Sequence, residues 1–187
     1  MDDWNNLWLD LTCCLIHTIL YIHQVYPLDT FERRERWGAV VYFCKSPIVA
    51  DYLNPILHDI KSYFANGLLR SIRISLSHPN KQVNYQMQFP QTTPKVCTVD
   101  VILKWQELFR NALYKLLYVG QASSLVGTST FQIYLQVVDN MEQQQQWKTV
   151  VGDPFVEHLG TQKWEVLYSC EISGTEQPFH LFREEMD

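Results

Sequence analysis

The stretch SIRISLSHPNKQVNYQMQF, residues 71–89, decides the fold class of this chain. Apolar residues occupy every second position on both sides of its centre, HPNK, which covers residues 78–81. A period of two is typical of a strand that buries one face, and proline and asparagine favour a turn between two such strands. The alternating apolar residues are Ile72, Ile74, Leu76, Val83, Tyr85, Met87 and Phe89. The stretch therefore predicts a β-hairpin and, with it, an antiparallel sheet.

Two segments before this hairpin and one after it show apolar residues at a helical period. They cover about Trp4–Val25, Ser46–Gly67 and Thr98–Val119. Each starts or ends at residues that cap or break helices, such as serine, threonine, proline and glycine. Pro55 lies inside the second pattern, so we expect it to kink that helix or to split it.

The rest of the chain consists of strand patterns and polar connections. Phe31–Trp37 is highly charged and is interpreted as a connection, and Gln143–Gln146 as an exposed loop. Strand patterns cover Ala39–Cys44, Phe131–Val137, Trp147–Val151, Trp164–Ile172 and Phe179–Phe182. Because regular βαβ units are missing, the sequence predicts one α+β domain over residues 1–187, with an antiparallel sheet backed by three helices.

The composition indicates a folded, intracellular protein. Apolar residues make up 47% of the 187 residues, which is enough for a core. The net charge of −5 and the scattered basic residues disfavour direct binding to nucleic acid. Five cysteines without a disulfide pattern favour reduced thiols in the cytosol or nucleus. The start of the chain is acidic rather than basic, so no secretory signal is expected, and the most apolar run, Cys13–Ile22, is too short to span a membrane.

The sequence contains no motif for catalysis, metal binding or cofactor binding. P-loops, Gly-rich dinucleotide loops, HEXXH and GXSXG sequences are all missing. His17 and His23 are six residues apart on one predicted helix, a spacing that does not suit a pair of metal ligands. Cys97 would act as a nucleophile only if the fold brought a histidine beside it. We therefore expect no metal and no cofactor, and a small enzyme with a Cys–His pair is the alternative from another functional class.

Several segments together resemble a known family. Near the start, the resemblance is carried by HTILYIHQVYP (17–27), LDTFERRERW (28–37) and KSPIVADYLNPILHDIK (45–61). Later landmarks in the same order are LKWQELFRNALYKLL (103–117), TFQIYLQVV (130–138) and DPFVE (153–157). In order and spacing these segments resemble the HORMA domain family and, within it, the accessory subunits of DNA polymerase zeta. The pattern ILY-x-x-x-VYP is the most specific part of the resemblance.

The resemblance implies a protein that captures peptides and is not an enzyme. HORMA domains bind a short peptide of a partner, the closure motif, and a C-terminal segment wraps over this peptide as a safety belt. Residues 152–187 correspond to that belt. Main-chain hydrogen bonds of an added strand would hold the peptide, and the belt would have to open before the peptide leaves.

The implied function is that of a nuclear adaptor subunit of DNA polymerase zeta. In that role the chain would capture a closure-motif peptide of the catalytic subunit and support translesion DNA synthesis. A second implied partner is the scaffold translesion polymerase of the deoxycytidyl-transferase type, and a third is another HORMA domain in a homo- or hetero-dimer. A spindle-checkpoint or meiotic HORMA adaptor is the alternative within the family.

The resemblance also assigns roles to five residues. Tyr52 matches a peptide-contacting tyrosine on the second helix, and Phe155 stands where the family has a belt tryptophan. Two aromatic side chains suit a proline ring of the peptide. Arg110 matches an arginine used for contact between HORMA domains, and Arg33 and Gln121 match further positions of that contact. Without the resemblance, the two aromatics would equally suit a core, and Arg110 would be an ordinary solvated charge on a helix.

The C-terminal end of the chain carries a third group of matched positions. Val166, His180 and Phe182 align with the family's surface for the scaffold polymerase. From the residues alone, His180 and Phe182 suit a structural role in a strand better than they suit a binding role.

Overall fold

The computed structural model describes residues 2–79, 81–90, 98–120, 129–138, 145–149, 164–171, 175 and 177–186. Within these ranges it contains three α-helices and two sheets whose neighbouring strands are all antiparallel. The α+β class predicted from the sequence is therefore confirmed. The chain divides into two compact units, residues 1–61 with 94–128 and residues 62–93 with 129–187.

The first unit contains two complete helices, residues 47–61 of a third and a two-stranded sheet. Helix α1 covers Asp2–Ile22, α2 begins at Pro47 and ends at Ala65, and α3 covers Val99–Gly120. Strands β1, Phe31–Arg36, and β2, Ala39–Cys44, form the sheet. Thr98 caps α3 as the sequence predicts, because its hydroxyl accepts a hydrogen bond of 3.4 Å from the backbone N–H of Val101.

The prediction that Phe31–Trp37 is a connection is wrong, because Phe31–Arg36 is strand β1. It pairs with β2 residue for residue, from Phe31 opposite Cys44 to Arg36 opposite Ala39. Trp37 and Gly38 form the turn, with φ of 50° and 76°, the left-handed conformation that two-residue hairpin turns require. Only Phe31 of β1 is buried, and the other five residues are charged. The sequence of this strand therefore shows no alternation of apolar and polar residues.

Of the two outcomes predicted for Pro55, a kink or a split, the split is wrong, because α2 runs through this residue as one helix. Its buried residues continue on the same face on both sides of the proline, and they are Val49, Leu53, Ile56 and Ile60. Burial of that face stabilises both halves together despite the lost backbone hydrogen bond. The helix ends at Ala65, just before the predicted stop at Asn66 and Gly67. The φ of Gly67 is 64°, and the Leu68 N–H bonds to the Tyr63 carbonyl at 2.9 Å.

The second unit is built on a six-stranded sheet. Its strands are β3 (Leu69–His78), β4 (Lys81–Gln88), β5 (Thr130–Val138), β6 (Gln145–Thr149), β7 (Glu165–Cys170) and β8 (Phe179–Met186). Their spatial order is β6-β5-β3-β4-β8-β7. The predicted hairpin is β3–β4, in which Ile74 pairs with Tyr85 and both side chains are fully buried. Gln145 and Gln146 belong to β6 and not to a loop, which corrects the prediction for the polar tract.

Aromatic side chains join α1 to α3 within the first unit. We call Trp4, Trp8, Trp105 and Phe109 the tryptophan cluster. The ring of Trp105 lies 4.2 Å from that of Trp4 and 4.8 Å from that of Trp8. The ring of Phe109 lies 5.2 Å from that of Trp37, so the cluster also holds α3 against the β1–β2 turn. The four cluster residues are at most 3% exposed, and their contacts fix the position of α3 in this unit.

Candidate functional site

The predicted peptide clamp is only half within the described residues. Tyr52 lies on α2 and is half-buried. Phe155 and the first third of the predicted belt, residues 152–163, lie outside the described residues. Joint contact of Tyr52 and Phe155 with a peptide therefore stays a prediction.

The two edges of the six-stranded sheet differ in their capacity to accept another strand. Strand β6 pairs with Tyr134–Val138 only, so on that side Thr130–Ile133 have no strand partner among the described residues. At the opposite edge, β7 shifts its register against β8 between Val166 and Tyr168. Such a bulge disturbs the regular row of main-chain donors and acceptors and discourages strand addition. Among the described residues, Thr130–Ile133 of β5 is therefore the stretch with regular main-chain groups left for an extended peptide.

Arg110 lies in an exposed row of residues along α3. We call this row the α3 stripe, and it consists of Leu103, Glu107, Arg110, Tyr114 and Tyr118. These residues follow one another at intervals of three or four positions, so they share one face of the helix. Leu103, Tyr114 and Tyr118 are 57%, 48% and 76% exposed, which is unusual for large apolar and aromatic side chains on one helix face. An arginine among exposed tyrosines and a leucine has the composition of a protein-binding surface.

Two contacts with the β1–β2 turn fix the middle of the α3 stripe. The hydroxyl of Tyr114 donates a hydrogen bond of 2.9 Å to the carbonyl of Gly38. The Arg110 side chain passes beside the same glycine, where an added Cβ would lie 3.7 Å from Arg110 Cδ. Glu107 pairs with Arg110 at 3.9 Å, in a contact that is open to solvent. The sequence did not indicate this support, because it depends on the unforeseen β1–β2 turn.

Arg33, the second predicted residue of the HORMA–HORMA contact, lies elsewhere on the same unit. It is exposed on β1 opposite Tyr42. It lines a cavity of about 520 Å³ whose wall includes Gly120, the last residue of α3. Gln121, the third predicted residue, directly follows Gly120 and lies outside the described residues. The structure thus places Arg33 near the end of α3, whereas Arg110 lies in the middle of that helix.

The three predicted residues of the scaffold-polymerase surface lie together on the second unit. Val166 on β7 pairs with Phe182 on β8 and is 54% exposed. The rings of His180 and Phe182 are 5.4 Å apart. Sequence analysis missed Trp164, whose ring lies 6.4 Å from that of Phe182, and Arg73, whose guanidinium lies 5.1 Å from the centre of the Trp164 ring. We call these residues the β7–β8 surface.

The described residues offer little for a Cys–His enzyme. Burial raises the pKa of the Cys13 thiol and that of the Cys170 thiol to about 11 each, which keeps both thiols protonated at neutral pH. His17 is buried, and its Nδ1 accepts a hydrogen bond of 3.2 Å from the backbone N–H of Cys44. This contact is structural, because it does not involve the Cys44 thiol. Cys97 lies outside the described residues.

No group of three or more His, Cys, Asp or Glu side chains in the described ranges could hold a metal ion. Among the described helices, none combines the length and apolar character needed to cross a membrane.

The sequence has relatives among characterised proteins, although no family model matches it. It is 21% identical over 147 residues to the DNA polymerase zeta processivity subunit of Schizosaccharomyces pombe, which covers 71% of this chain and 68% of that protein. It is also 21% identical over 85 residues to the mitotic spindle assembly checkpoint protein MAD2B of Homo sapiens. That match covers 46% of this chain, and the chain spans only 40% of the length of MAD2B.

The fold matches solved structures over nearly the whole chain. A chain of the mitotic checkpoint complex superposes with a TM-score of 0.77 at 12% identity and covers 99% of both chains. Caenorhabditis elegans HTP-2, solved bound to the HIM-3 closure motif, superposes with a TM-score of 0.70 at 9% identity, covering 98% of this chain and 90% of that one. The chain therefore has the HORMA fold, and the predicted resemblance to the accessory subunits of DNA polymerase zeta is confirmed by these relatives.

Proposed function

We propose that this chain is a non-catalytic adaptor subunit of DNA polymerase zeta that captures a closure-motif peptide of the catalytic subunit in the nucleus and supports translesion synthesis. The relative in Schizosaccharomyces pombe, itself a subunit of that polymerase, supports the partner. The proposal is carried by the HORMA fold together with Thr130–Ile133 of β5, which have no strand partner on one side among the described residues, because capture by strand addition needs unpaired main-chain groups.

Capture would proceed by strand addition followed by enclosure. The peptide adds to β5 at Thr130–Ile133, where main-chain groups can pair with it. The belt, residues 152–187, then passes over the peptide, and its last strand, β8, already pairs with β4 from Gln88–His180 to Gln82–Met186. Because the belt must open before the peptide leaves, dissociation is slow. The lifetime of the complex then suits a permanent subunit.

Identification of the captured partner tests the proposal. The full-length protein, tagged and recovered from nuclear extract, should bring down a polymerase catalytic subunit that mass spectrometry identifies. Recovery of a checkpoint or meiotic chromosome protein instead would favour the alternative adaptor role, which the resemblance to the mitotic checkpoint complex and to HTP-2 supports. Recovery of neither class would contradict both roles.

We expect Tyr52→Ala and Phe155→Ala each to weaken binding of a proline-containing peptide from the polymerase about thirtyfold. An aromatic anchor in a buried binding pocket is worth about 2 kcal/mol or more when truncated. Titration calorimetry with the full chain measures the affinity, and a thermal melt of each variant measures its fold.

Controls for this prediction separate binding from folding. Lys115→Ala, at an exposed position on α3, should bind the peptide like the unchanged protein. Tyr52→Ala and Phe155→Ala proteins with unaltered affinity would refute the clamp. Variants that only unfold would identify both aromatics as ordinary core residues.

We also propose that a second HORMA domain, identical or different, docks on the α3 stripe, with Arg33 and Gln121 as further contacts. Arg110→Ala should lower the apparent mass in sedimentation and leave peptide affinity unchanged, because it removes the central charge of the stripe. Lys115→Ala removes an equal charge from the same helix, about 140° around its axis from Arg110, and should leave the mass unchanged. An oligomer that survives Arg110→Ala would contradict this role of the stripe.

The β7–β8 surface is proposed to bind the scaffold translesion polymerase. Val166, His180 and Phe182 present apolar and aromatic groups to one side of adjacent strands, and Trp164 extends them. Aromatic anchors of this kind dominate the binding energy of many protein interfaces.

A further inference from the structure

The cavity beside Arg33 is built from three elements of the first unit. It lies between the end of α1, the β1–β2 sheet and the end of α3, and its volume is about 520 Å³. Tyr21 and Tyr42 form one wall, stacked with ring centres 3.7 Å apart and planes 5° from parallel. Leu117 of α3 lines the cavity with them. The volume falls within the usual range for ligand-binding sites in proteins, roughly 300–1,000 Å³.

Arg33 is the arginine of β1 that lacks a partner among the described residues. Its neighbours on the strand are both paired, since Arg34 lies 2.9 Å from a carboxylate oxygen of Glu32 and Arg36 lies 3.8 Å from one of Asp10. The guanidinium of Arg33 instead stands at the cavity rim with no acidic residue among the cavity-lining residues. The cavity thus combines apolar walls with one uncompensated positive charge.

Gln24, also at the rim, holds an unfavourable backbone conformation. It lies two residues after the end of α1, its φ is 49°, and its N–H bonds to the Tyr21 carbonyl at 3.0 Å. Helices commonly place glycine at such a left-handed position, where a side chain is strained by about 1 kcal/mol or more. The side chain retained there lines the cavity and carries both an amide donor and an acceptor. Backbone strain that is retained in a residue at the rim of a cavity indicates a binding role for that residue.

We propose that this cavity receives a segment of a partner protein in which a bulky apolar side chain precedes a carboxylate side chain. The apolar group enters between the stacked tyrosines and Leu117, Arg33 pairs with the carboxylate, and the Gln24 amide bonds to the main chain of the segment. The rim residue Leu28 is 51% exposed, so the cavity is open enough for a side chain that remains attached to a protein. The inference deepens the proposed role of Arg33 in protein contact by naming the chemistry of the group it meets.

The test compares two peptides that differ in one charge. The probes are acetyl-Gly-Phe-Asp-Gly-amide and its Asn analogue, titrated into the full chain and followed by NMR at the methyl groups of Leu28 and Leu117. We expect both methyl groups to shift, and the Asp peptide to bind about fivefold more tightly, as for a good exposed ion pair. The preference should decrease with added salt.

Two variants make the proposal falsifiable. Arg33→Gln should remove the preference for the Asp peptide. Gln24→Gly should raise the Tm by about 2–4 °C by relieving strain, and should weaken both peptides by about threefold. Arg110→Ala should change neither affinity, so a failure of the proposed HORMA–HORMA contact can be told apart from a failure at this cavity.

Three results would overturn the inference. The first is equal binding of the Asp and Asn peptides, and the second is an absence of shifts at Leu28 and Leu117. The third is tighter binding of free 3-phenylpropionate than of the Asp peptide, which would make the cavity a site for a small molecule.

Discussion

Replacing Trp105 by alanine is expected to lower the free energy of unfolding by about 3–5 kcal/mol. The side chain is 1% exposed and lies at the centre of the tryptophan cluster, with ring centres 4.2 Å from Trp4, 4.8 Å from Trp8 and 5.7 Å from Phe109. Alanine would remove most of the buried surface that joins α1 to α3 and would leave a cavity that the packed neighbours fill only in part. Urea denaturation followed by circular dichroism measures the loss.

Trp105→Phe gives a sharper test of the same packing. The indole Nε1 of Trp105 is buried without a hydrogen-bond partner in the described part of the chain. Phenylalanine removes this unsatisfied donor while it keeps an aromatic ring, so we expect a loss of only about 1 kcal/mol. Tyr118→Ala, at a position that is 76% exposed on the same helix, should change stability by less than about 0.5 kcal/mol. Equal losses for the two Trp105 variants would contradict this account.

Disruption of the tryptophan cluster should also affect association. The α3 stripe is presented by a helix that the cluster holds against α1 and the β1–β2 turn. Trp105→Ala should therefore weaken the proposed HORMA–HORMA association at temperatures where the variant is still folded. Association measured at 10 °C, well below the melting transition, separates this effect from global unfolding.

The local elements of this fold could be predicted because their signals lie in short stretches of sequence. Alternation over residues 71–89 located the β3–β4 hairpin, and a capping residue located the start of α3 at Thr98. Strand β1 was missed because its charged side chains face solvent and only Phe31 is buried. Its pairing follows from the Trp37–Gly38 turn, whose left-handed conformation has a weak signal when tryptophan takes the first position.

The candidate sites depended on contacts between distant segments, which the sequence pattern alone does not give. The pairing of Val166 with Phe182 requires the register of β7 and β8, and only the family resemblance placed these residues on one surface. No sequence pattern linked Arg73 to Trp164, because the two residues are 91 positions apart. In the structure the Arg73 guanidinium lies 5.1 Å from the centre of the Trp164 ring. Likewise, the sequence does not distinguish Arg33 from the other arginines of β1. The structure does, because it pairs Arg34 and Arg36 with carboxylates.

The stability of this protein is expected to fall between pH 6.5 and pH 4 because of His17. Burial, and to a smaller extent the charge of Arg34, lowers the pKa of His17 from 6.5 to about 4 in the folded chain. Over that interval the unfolded chain binds a proton that the folded chain does not bind, so acid favours unfolding. The stabilising contribution is complete above pH 6.5 and is lost as the pH falls to 4. A shift of this size corresponds to about 3 kcal/mol.

Denaturation at pH 7 and at pH 4.5 measures this loss, and two variants isolate it from the other titrating groups. His17→Asn places an amide oxygen where Nδ1 accepts the hydrogen bond of 3.2 Å from the Cys44 N–H, but it cannot titrate. The drop in unfolding free energy should therefore be smaller in this variant by about 2–3 kcal/mol. His58→Asn, at an exposed position on α2, should keep the full drop. If His17→Asn loses as much stability in acid as the unchanged protein does, the acid sensitivity comes from other groups, and His17 contributes only its hydrogen bond to the end of β2.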